Sequence, residues 1–365
     1  MILNKKNNRK ISVIIVIGLL VANSLFACST FVLSDSNSLV FGRNFDFDLG
    51  WGFIVINNRG IKKHAIVEAP YKPASWESKY GSITFNQIGV DAPMGGMNEK
   101  GLVIAQMGLF ETKYPDIKGE NVVNVLEWIQ YQLDNSSTLD EVIQNSEKVN
   151  INPVEIMPVH YLVCDSLGNK GVIEFLNGKF VVVKGKDFSI PVCSNIPYYQ
   201  SLITTKEYKP FGGDKEIPER WDNIPDIIAI ANAMILDYRS SYNPIDYSFE
   251  ILKAIGSEDK TQWSIVFDIK NREINYKTLN NKVVRKINLD DYNFTCENDI
   301  KILDIQENKS EIILPKNFKL LTYNFYYDYK AKLLEIFKTN INNFPEFPEN
   351  ILKNEIDYAM NRKCN

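Results

Sequence analysis

The chain has 365 residues, a formal net charge of −4 and a pI near 5.5, with average apolar and charged content. That length is enough for one large domain or two ordinary ones, with a sizeable core. Basic residues are dispersed outside the extreme N-terminus, so the sequence gives no electrostatic basis for nucleic-acid binding, and we expect no nucleic-acid partner.

The N-terminus has the layout of an export signal. Basic residues between positions 5 and 10 precede an apolar run over 11–20, which continues weakly toward small residues. This order is typical of a secretory signal. The competing interpretation is a membrane anchor, but Asn23 and Ser24 interrupt the run, and its strongest part is shorter than the roughly 20 residues that a span requires. We expect a signal peptide over 1–27, cleavage after Ala27, and a periplasmic or secreted protein that keeps no membrane span.

Cysteine and histidine usage limits the chemistry. The five cysteines are far apart and include no CxxC pair, which argues against a disulfide framework or a zinc ribbon. They are Cys28, Cys164, Cys193, Cys296 and Cys364. One disulfide among the last four would suit an oxidising compartment, with a connectivity that the sequence does not determine. Because His64 and His160 are the only histidines, a His-rich metal site is excluded, and we expect neither metal nor cofactor.

The first half of the chain reads as strands followed by two helices. Strands are predicted over 30–33 and 39–43, joined by a turn, and a glycine-rich turn over 95–101 leads into another strand. Apolar residues at helical spacing predict a helix over 121–133. Thr138, with Glu141 three residues later, is a capping-box signature for a second helix that ends near position 149.

The second half returns to hairpins. Strands over 159–164 and 171–175 form one hairpin, and Asn177-Gly178 is a strong turn signal that continues the meander. A helix is predicted over 222–237, before a last hairpin over 263–278. Strands in hairpins with helices grouped between them favour an antiparallel α+β layered fold over a doubly wound sheet.

From about residue 298 the pattern changes. The segment 320–337 is rich in Tyr, Phe and Leu, and 343–348 is a loop punctuated by proline. We interpret 28–297 as the main domain and 298–365 as a C-terminal extension packed on it.

Cleavage after Ala27 would leave Cys28 with both a thiol and a free α-amino group. An α-amine titrates near 7.7–8.0 in model compounds, so it can accept the thiol proton at working pH. A nearby cation would favour the thiolate further. This combination suits nucleophilic cleavage of an amide through an acyl-enzyme.

Two other interpretations of Cys28 stay open on these residues alone. The run from Leu25 to Cys28 looks like a lipoprotein cleavage box, with Phe26 as a poor fit. A lipidated Cys28 would have its thiol alkylated and would be an anchor. The second alternative is a buried structural cysteine, which is what most lone cysteines are.

An ordered set of motifs over roughly residues 28–280 resembles the choloylglycine hydrolase and penicillin V acylase family, N-terminal nucleophile hydrolases of linear amides. The motifs are Cys28-Ser29-Thr30-Phe31, Gly42 to Asp46, Gly96 to Leu102, His160 to Asp165 with Gly171 to Phe175, Ser194 to Pro197, Glu219-Arg220-Trp221 and Gln262 to Asp268. The resemblance implies a four-layer αββα sandwich with two antiparallel sheets, a small-molecule amide substrate and a homotetramer. It favours a nucleophile over a lipid anchor.

Matched positions imply roles for individual residues. Cys28 would be nucleophile and amine base, and Arg43 would stabilise its thiolate. Asp46 would bind the Cys28 α-ammonium. Asn195 would donate its side-chain N–H to the developing oxyanion. The plainer interpretations are a surface salt bridge for Arg43, a solvated turn carboxylate for Asp46 and a turn residue for Asn195. Asn44 to Gly50 also mimics part of a calcium loop, but the required Glu is missing.

Two further positions follow from the resemblance. Arg220 matches the family's second active-site arginine. Gly108 stands where bile-salt hydrolases have an asparagine and a penicillin V acylase has a tyrosine, a residue whose backbone N–H serves the oxyanion hole. Glycine keeps that N–H but lacks the side chain that shapes the pocket, which disfavours bile salts as substrates.

The remaining candidates are weaker. His160 could pair with Cys28 as in a thiol protease, but its apolar strand context favours a core histidine. Four aromatic residues, Trp51, Phe53, Trp76 and Phe110, could line an acyl pocket, although aromatic residues more often belong to a core.

Overall fold

The fold is taken from a computed structural model that describes residues 28–67, 70–117, 119–152, 158–307, 310–340 and 349–364. The predicted signal peptide and the proline-punctuated loop over 343–348 lie outside these residues. No helix within the described ranges combines the length and the apolar character that crossing a bilayer requires.

The strands are β1 (Ser29–Ser34), β2 (Leu39–Asp46), β3 (Phe53–Asn57), β4 (Lys62–His64), β5 (Ser75–Glu77), β6 (Ser82–Asn86), β7 (Pro93–Asn98), β8 (Val103–Gly108), β9 (Val122–Asn124), β10 (Asn150–Asn152), β11 (Val159–Cys164), β12 (Lys170–Leu176), β13 (Lys179–Lys184), β14 (Val192–Cys193), β15 (Thr261–Asp268), β16 (Glu273–Thr278), β17 (Arg285–Asn288), β18 (Lys301–Asp304) and β19 (Lys319–Leu320). The α-helices are α1 (Trp128–Asn135), α2 (Leu139–Ser146), α3 (Tyr198–Thr205), α4 (Ile224–Asp237), α5 (Pro244–Ile255), α6 (Tyr323–Asn340) and α7 (Glu349–Met360).

Two antiparallel sheets form the centre of the fold. The six-stranded sheet has the order β14-β1-β2-β15-β16-β17, and the nine-stranded sheet has the order β13-β12-β11-β8-β7-β6-β3-β18-β19. Their facing surfaces meet at aromatic contacts such as Phe85 of β6 with Phe267 of β15, whose ring centroids lie 6.1 Å apart. The buried space between the sheets is therefore filled by side chains of both.

Helices cover the outer face of each sheet. On the six-stranded sheet, α4 and α5 pack against buried Phe31, Val40 and Val266. On the nine-stranded sheet, Ile54 is the register partner of Phe85 and shares its inward face, so Phe53 and Val55 point outward. There they form a cluster with residues of α6 and α7. The layers are helix, sheet, sheet and helix, as predicted.

The hairpins follow their sequence signals closely. Tyr161 pairs with Ile173 in the β11–β12 hairpin, as expected from the two predicted strands. Asn177 and Gly178 have φ angles of 54° and 72°, the left-handed conformation that a two-residue hairpin turn needs at both positions. The predicted turn residues therefore set the register of β12 against β13.

The first predicted helix starts too early. Helix α1 begins at Trp128, and residues 122–124 instead form β9, which pairs in parallel with β10. Val122 and Val123 are fully buried there, and β-branched residues pack well on a pleated surface. The second helix is confirmed, because the Thr138 side chain accepts a hydrogen bond from the Glu141 N–H. So is the third, whose cap is Asn223.

The C-terminal extension continues the larger sheet. Strand β18 pairs with β3, and β19 pairs with β18. A disulfide joins Cys296 to Cys364, so the segment between them is closed covalently at its base. The boundary after residue 297 stays a prediction, since the sheet runs across it.

Candidate active site

Three neighbouring strands bring the N-terminal motifs together at one end of the six-stranded sheet. Cys28 immediately precedes β1, and its neighbour Ser29 pairs with Asn44 of β2. Asp46, at the end of β2, pairs with Thr261 at the start of β15. The Cys28 Sγ atom consequently lies 3.7 Å from the Asp46 carbonyl oxygen.

Arg43 is buried beside this thiol. Its side chain is 1% exposed, its guanidinium donates to the Met94 carbonyl oxygen, and it lies over the Phe45 ring with 5.6 Å to the centroid. Burial lowers the pKa of Arg43 to about 10, while Cys28 and Asp46 act in the opposite direction. A surface salt bridge is therefore the wrong interpretation of Arg43.

Asp46 is a buried carboxyl group, so a solvated turn residue is also wrong. Its exposure is 2%, and the Thr261 hydroxyl donates to Oδ1. Burial raises the pKa of Asp46 to about 7, and the Thr261 hydrogen bond and Arg43 only partly oppose this shift. Asp48, a member of the calcium-loop mimic, instead pairs with Lys260 at 2.6 Å.

The Cys28 thiol shares this low-dielectric environment. Burial, and secondly the nearby Asp46 carboxylate, raise the pKa of Cys28 to about 11, and Arg43 opposes the shift. In the full-length chain the Cys28 nitrogen is a peptide amide, so Arg43 is the cation that acts on this thiol. The Cys28 thiol therefore keeps its proton at neutral pH before any cleavage.

Strand β14 brings a second set of residues to the same place. Thr30 of β1 pairs with Cys193 of β14. Continued by two residues, this antiparallel register places Asn195 opposite Cys28, that is, level with it along the two chains. The link is reinforced by the Ser194 hydroxyl, which donates to the Cys28 carbonyl oxygen at 2.9 Å.

The Asn195 amide contacts Gly108 at the end of β8. Its Nδ2 donates to the Gly108 carbonyl oxygen at 2.9 Å, and a Cβ at position 108 would lie 3.0 Å from Nδ2. Its Oδ1 is buried without a hydrogen-bond partner among the described residues. Glycine at 108 therefore allows this close approach, and one Nδ2 hydrogen is left for another acceptor.

Arg220 lies apart from these residues. Its side chain is 76% exposed, and its Nη2 lies 3.8 Å from Glu258 Oε1 in the loop that precedes Thr261. The structure thus brings together Cys28, Arg43, Asp46, Asn195 and Gly108, and it leaves Arg220 at the surface beside the loop that leads to them.

His160 has other partners than Cys28. Its Nδ1 lies 3.0 Å from Glu174 Oε1, and its Nε2 lies 3.7 Å from the Cys193 Sγ atom. The structure shows the core histidine that the strand context favoured, and the alternative Cys28–His160 pair is wrong, because Cys193 and Glu174 are the neighbours of the buried imidazole. Sequence reasoning missed the roles of Thr261, Ser194 and Glu174, since only the strand register relates them to the site.

The proposed acyl pocket is wrong for two of its four aromatic residues. Phe53 packs in the outer helical layer with 4.3 Å between its ring centroid and that of Tyr329. Trp76 donates its indole N–H to Asp134 at 2.8 Å. Phe110 follows Gly108 closely and is 65% exposed, which leaves it available at the edge of the site.

Solved structures share this fold. A penicillin V acylase from Agrobacterium tumefaciens aligns with a TM-score of 0.70 at 24% identity, over 81% of this chain and 98% of that one. A variant of the conjugated bile acid hydrolase of Clostridium perfringens aligns with a TM-score of 0.62 at 21% identity, over 79% of this chain and 98% of that one. The predicted four-layer αββα sandwich is thereby confirmed.

Sequence relatives point to one family. A penicillin V acylase of Pectobacterium atrosepticum is 30% identical over 159 residues, which cover 39% of this chain and 42% of that protein. A bile salt hydrolase/transferase of Clostridium perfringens is 28% identical over 188 residues, which cover 47% of this chain and 54% of that protein. The matches thus span about half the length of these curated relatives. Residues 28–220 match the family model described as linear amide C–N hydrolases, choloylglycine hydrolase family, and the chain belongs to that family.

Proposed function

We propose that this protein is an exported cysteine hydrolase that cleaves the C–N bond of non-peptide linear amides through a thioester acyl-enzyme, with Cys28 as its mature N-terminus. The observation that supports this most directly is the meeting of Cys28, Arg43 and Asp46 at one buried point, with Asn195 level with the thiol. No neutral hydrophobic core needs an arginine and an aspartate in that position.

Charge balance gives the second line of support. Arg43 only partly offsets the burial that raises the pKa of the Asp46 carboxyl group to about 7 and that of the Cys28 thiol to about 11, so a second cation would stabilise their charged forms. Cleavage after Ala27 would create one, the α-ammonium of Cys28, on the residue that already lies beside Asp46. An opposite charge at such a distance lowers the pKa of both acids.

The reaction then uses groups of this chain alone. The α-amine accepts the thiol proton, and the thiolate attacks the amide carbonyl carbon to form a C–S bond. The oxyanion receives hydrogen bonds from the free Nδ2 hydrogen of Asn195 and from the Gly108 backbone N–H. The C–N bond breaks as the leaving amine takes the proton from the α-ammonium. Water, deprotonated by the amine, then releases the carboxylic acid from the thioester.

Other roles are assigned with the same proposal. Arg43 stabilises the thiolate, and Asp46 holds the α-ammonium in place. Arg220, at the surface beside the loop that precedes Thr261, can meet a polar part of the substrate.

Among linear amides we place penicillin V-like phenoxyacetyl amides first. Relatives named penicillin V acylase and bile salt hydrolase/transferase include both substrate types. Gly108 lacks a side chain that would shape a pocket for a sterol, and exposed Phe110 lies two residues beyond it as an apolar surface for an aryl group. N-Acyl homoserine lactones are a third class of amide substrate to be tested.

The test is a hydrolysis panel with the mature protein. It contains penicillin V, glycine and taurine conjugates of bile acids, and N-acyl homoserine lactones, with Cys28→Ser and Cys28→Ala as controls. Release of amine from at least one amide, abolished in Cys28→Ala, is expected. Absence of hydrolysis across the panel, or equal activity in Cys28→Ala, would refute the proposal.

A lipid-anchored binding protein on the same scaffold is the alternative, because residues 25–28 also match a lipoprotein box. Intact-mass measurement of the exported protein separates the two. A mass that starts at an unmodified Cys28 supports the hydrolase, and a mass increased by diacylglycerol supports the anchor. Light scattering on the same sample tests the homotetramer implied by the family resemblance.

A further inference from the structure

A fully buried group lies between the two sheets and takes no part in the reaction above. His160 and Glu174 are 0% and 1% exposed and occupy opposing positions on β11 and β12. His160 is also the register partner of Met107, whose Sδ lies 3.4 Å from the Thr30 hydroxyl of β1. The pair therefore faces the six-stranded sheet, where β1 and β14 carry the candidate active site.

The pair contacts one short segment of chain at two points. On one side, the Cys193 Sγ atom lies 3.7 Å from His160 Nε2. On the other side, the Tyr198 backbone N–H donates to Glu174 Oε1 at 2.8 Å, the same oxygen that lies 3.0 Å from His160 Nδ1. Asn195 lies between these two points in the chain.

The contacts define a consistent set of donors and acceptors. Glu174 accepts from the Tyr198 N–H and from His160 Nδ1–H, while the Cys193 sulfur, nearly equidistant from the two ring nitrogens, packs over the imidazole face. Tyr198 is the first residue of α3, where N–H groups lack partners within the helix, so a carboxylate is favourable there. Cys193 is 1% exposed, so its thiol cannot meet a substrate and serves as a packing contact for His160.

The same segment is tied down at further points. The Tyr198 hydroxyl donates to the Ile190 carbonyl oxygen at 3.0 Å, and the Thr30 hydroxyl donates to the Cys193 carbonyl oxygen at 3.3 Å. Within it, Ser194 contacts Cys28 and Asn195 contacts Gly108. Rigid support of this kind is what an oxyanion donor needs, because a displacement of about 1 Å can cost on the order of 10²-fold in rate.

We propose that Glu174, acting with His160, is a positioning residue that holds the segment 193–198 so that Asn195 lies level with the Cys28 thiol. This inference rests on the proposed function for its kinetic consequence, while the anchoring of the segment stands independently of it. Glu174 touches neither the reacting thiol nor Asn195; it acts through the Tyr198 backbone N–H at one end of the segment and, by way of His160, through the Cys193 side chain at the other.

The kinetic test is a double-mutant cycle on the mature protein with the best amide of the panel. Asn195→Ala should lower kcat by about 10²–10³-fold. Glu174→Gln keeps the shape of the side chain but removes its charge, and it should lower kcat about threefold. Glu174→Leu removes the hydrogen-bond acceptor and should lower kcat about tenfold or more. In both variants KM should stay unchanged within about twofold. In the Asn195→Ala background the Glu174 substitutions should have almost no further effect on kcat. Equal factors in both backgrounds would overturn the proposal.

A matched control is Glu127→Gln in the outer helical layer. Glu127 is also a buried glutamate that accepts backbone N–H bonds, from Ile66 at 3.1 Å and from Asn124 at 3.3 Å. It should leave kcat unchanged. An equal loss of kcat in Glu127→Gln would assign the Glu174 effect to general destabilisation and would overturn the proposal.

Hydrogen exchange tests the anchoring without any activity. In Glu174→Gln the amide of Tyr198 should exchange at least about tenfold faster, while amides of β15 keep their protection. Unchanged protection at Tyr198 would refute the inference. If the wild-type protein hydrolyses no amide, the proposed function fails. The exchange result alone then decides whether Glu174 holds the segment 193–198 in place.

Discussion

Substituting Asp46 by Asn should have opposite effects on the chain before and after cleavage at Ala27. Before cleavage, Asp46 is a buried carboxyl group, and Arg43 is the charged group that acts on it. After cleavage, the α-ammonium of Cys28 would join it. Asn keeps the size and can still accept from the Thr261 hydroxyl, so the substitution mainly removes the charge.

The magnitude follows from the pKa of Asp46, which burial raises from 3.8 to about 7. Between these values the folded chain keeps a proton that the unfolded chain has lost. Stability is therefore fully present below about pH 4 and is lost as pH rises toward 7. Three units at 1.36 kcal/mol each give a cost of about 4 kcal/mol at pH 8 in the uncleaved state.

Urea unfolding of two forms of the protein measures this cost. The first form begins at Ala27, so the Cys28 nitrogen is an amide, and the second begins at Cys28. In the first form, Asp46→Asn should stabilise the fold by up to about 4 kcal/mol at pH 8 and by almost nothing at pH 4, where both side chains are neutral. In the second form it should destabilise the fold at pH 8 and remove amidase activity.

The pH 4 measurement is the internal control for any change in packing. A loss of stability at pH 8 in the form that begins at Ala27 would refute the electrostatic reasoning. So would a gain of equal size at pH 4 and pH 8, because charge could not then be its origin.

Three other substitutions test separate parts of the structure. Gly108→Ala puts a Cβ 3.0 Å from Asn195 Nδ2 and should lower kcat about tenfold in steady-state assays, while the free energy of unfolding stays unchanged. A kcat equal to that of the wild type would contradict the oxyanion geometry. Replacing Cys296 and Cys364 by Ser opens a loop of 68 residues and should lower the free energy of unfolding by about 4 kcal/mol in urea, and no shift would mean that the disulfide does not constrain the unfolded chain. Lys63→Met removes the ion-pair partner of the buried Asp134 carboxylate and should lower the free energy of unfolding by about 3–5 kcal/mol in a thermal unfolding experiment. An unchanged free energy of unfolding would contradict a charged pair at this position.

Local sequence signals predicted the turns and helix ends whose structure depends on neighbouring residues in the chain. The turn at Asn177-Gly178 and the cap at Thr138 each depend on side-chain or φ preferences that act over a few residues. Helix α5 could have been predicted on the same basis, because Asn243 caps it and Pro244 occupies its first position. The start of helix α1 could not be predicted in this way, because Val122 belongs to β9, where it pairs with distant Asn150.

The candidate site divides along the same line. Cys28, Arg43 and Asp46 lie within 19 consecutive residues, and a single hairpin brings them together. Thr261 reaches the site only through the pairing of β15 with β2, and Glu174 only through its contact with Tyr198, and periodicity contains neither long-range link. His160 shows the same limit, since its neighbour in space, Cys193, lies outside the motifs.

The strand order of the larger sheet has a consequence for solubility. Without β18 and β19, strand β3 would end the sheet and offer its unpaired backbone groups to other chains. An open edge of that kind is a template for aggregation, whereas a very short edge strand such as β19 is a poor one. The disulfide at the base of the extension holds this protective edge in place. Production in a reducing cytosol should therefore cost soluble yield even where the main domain folds.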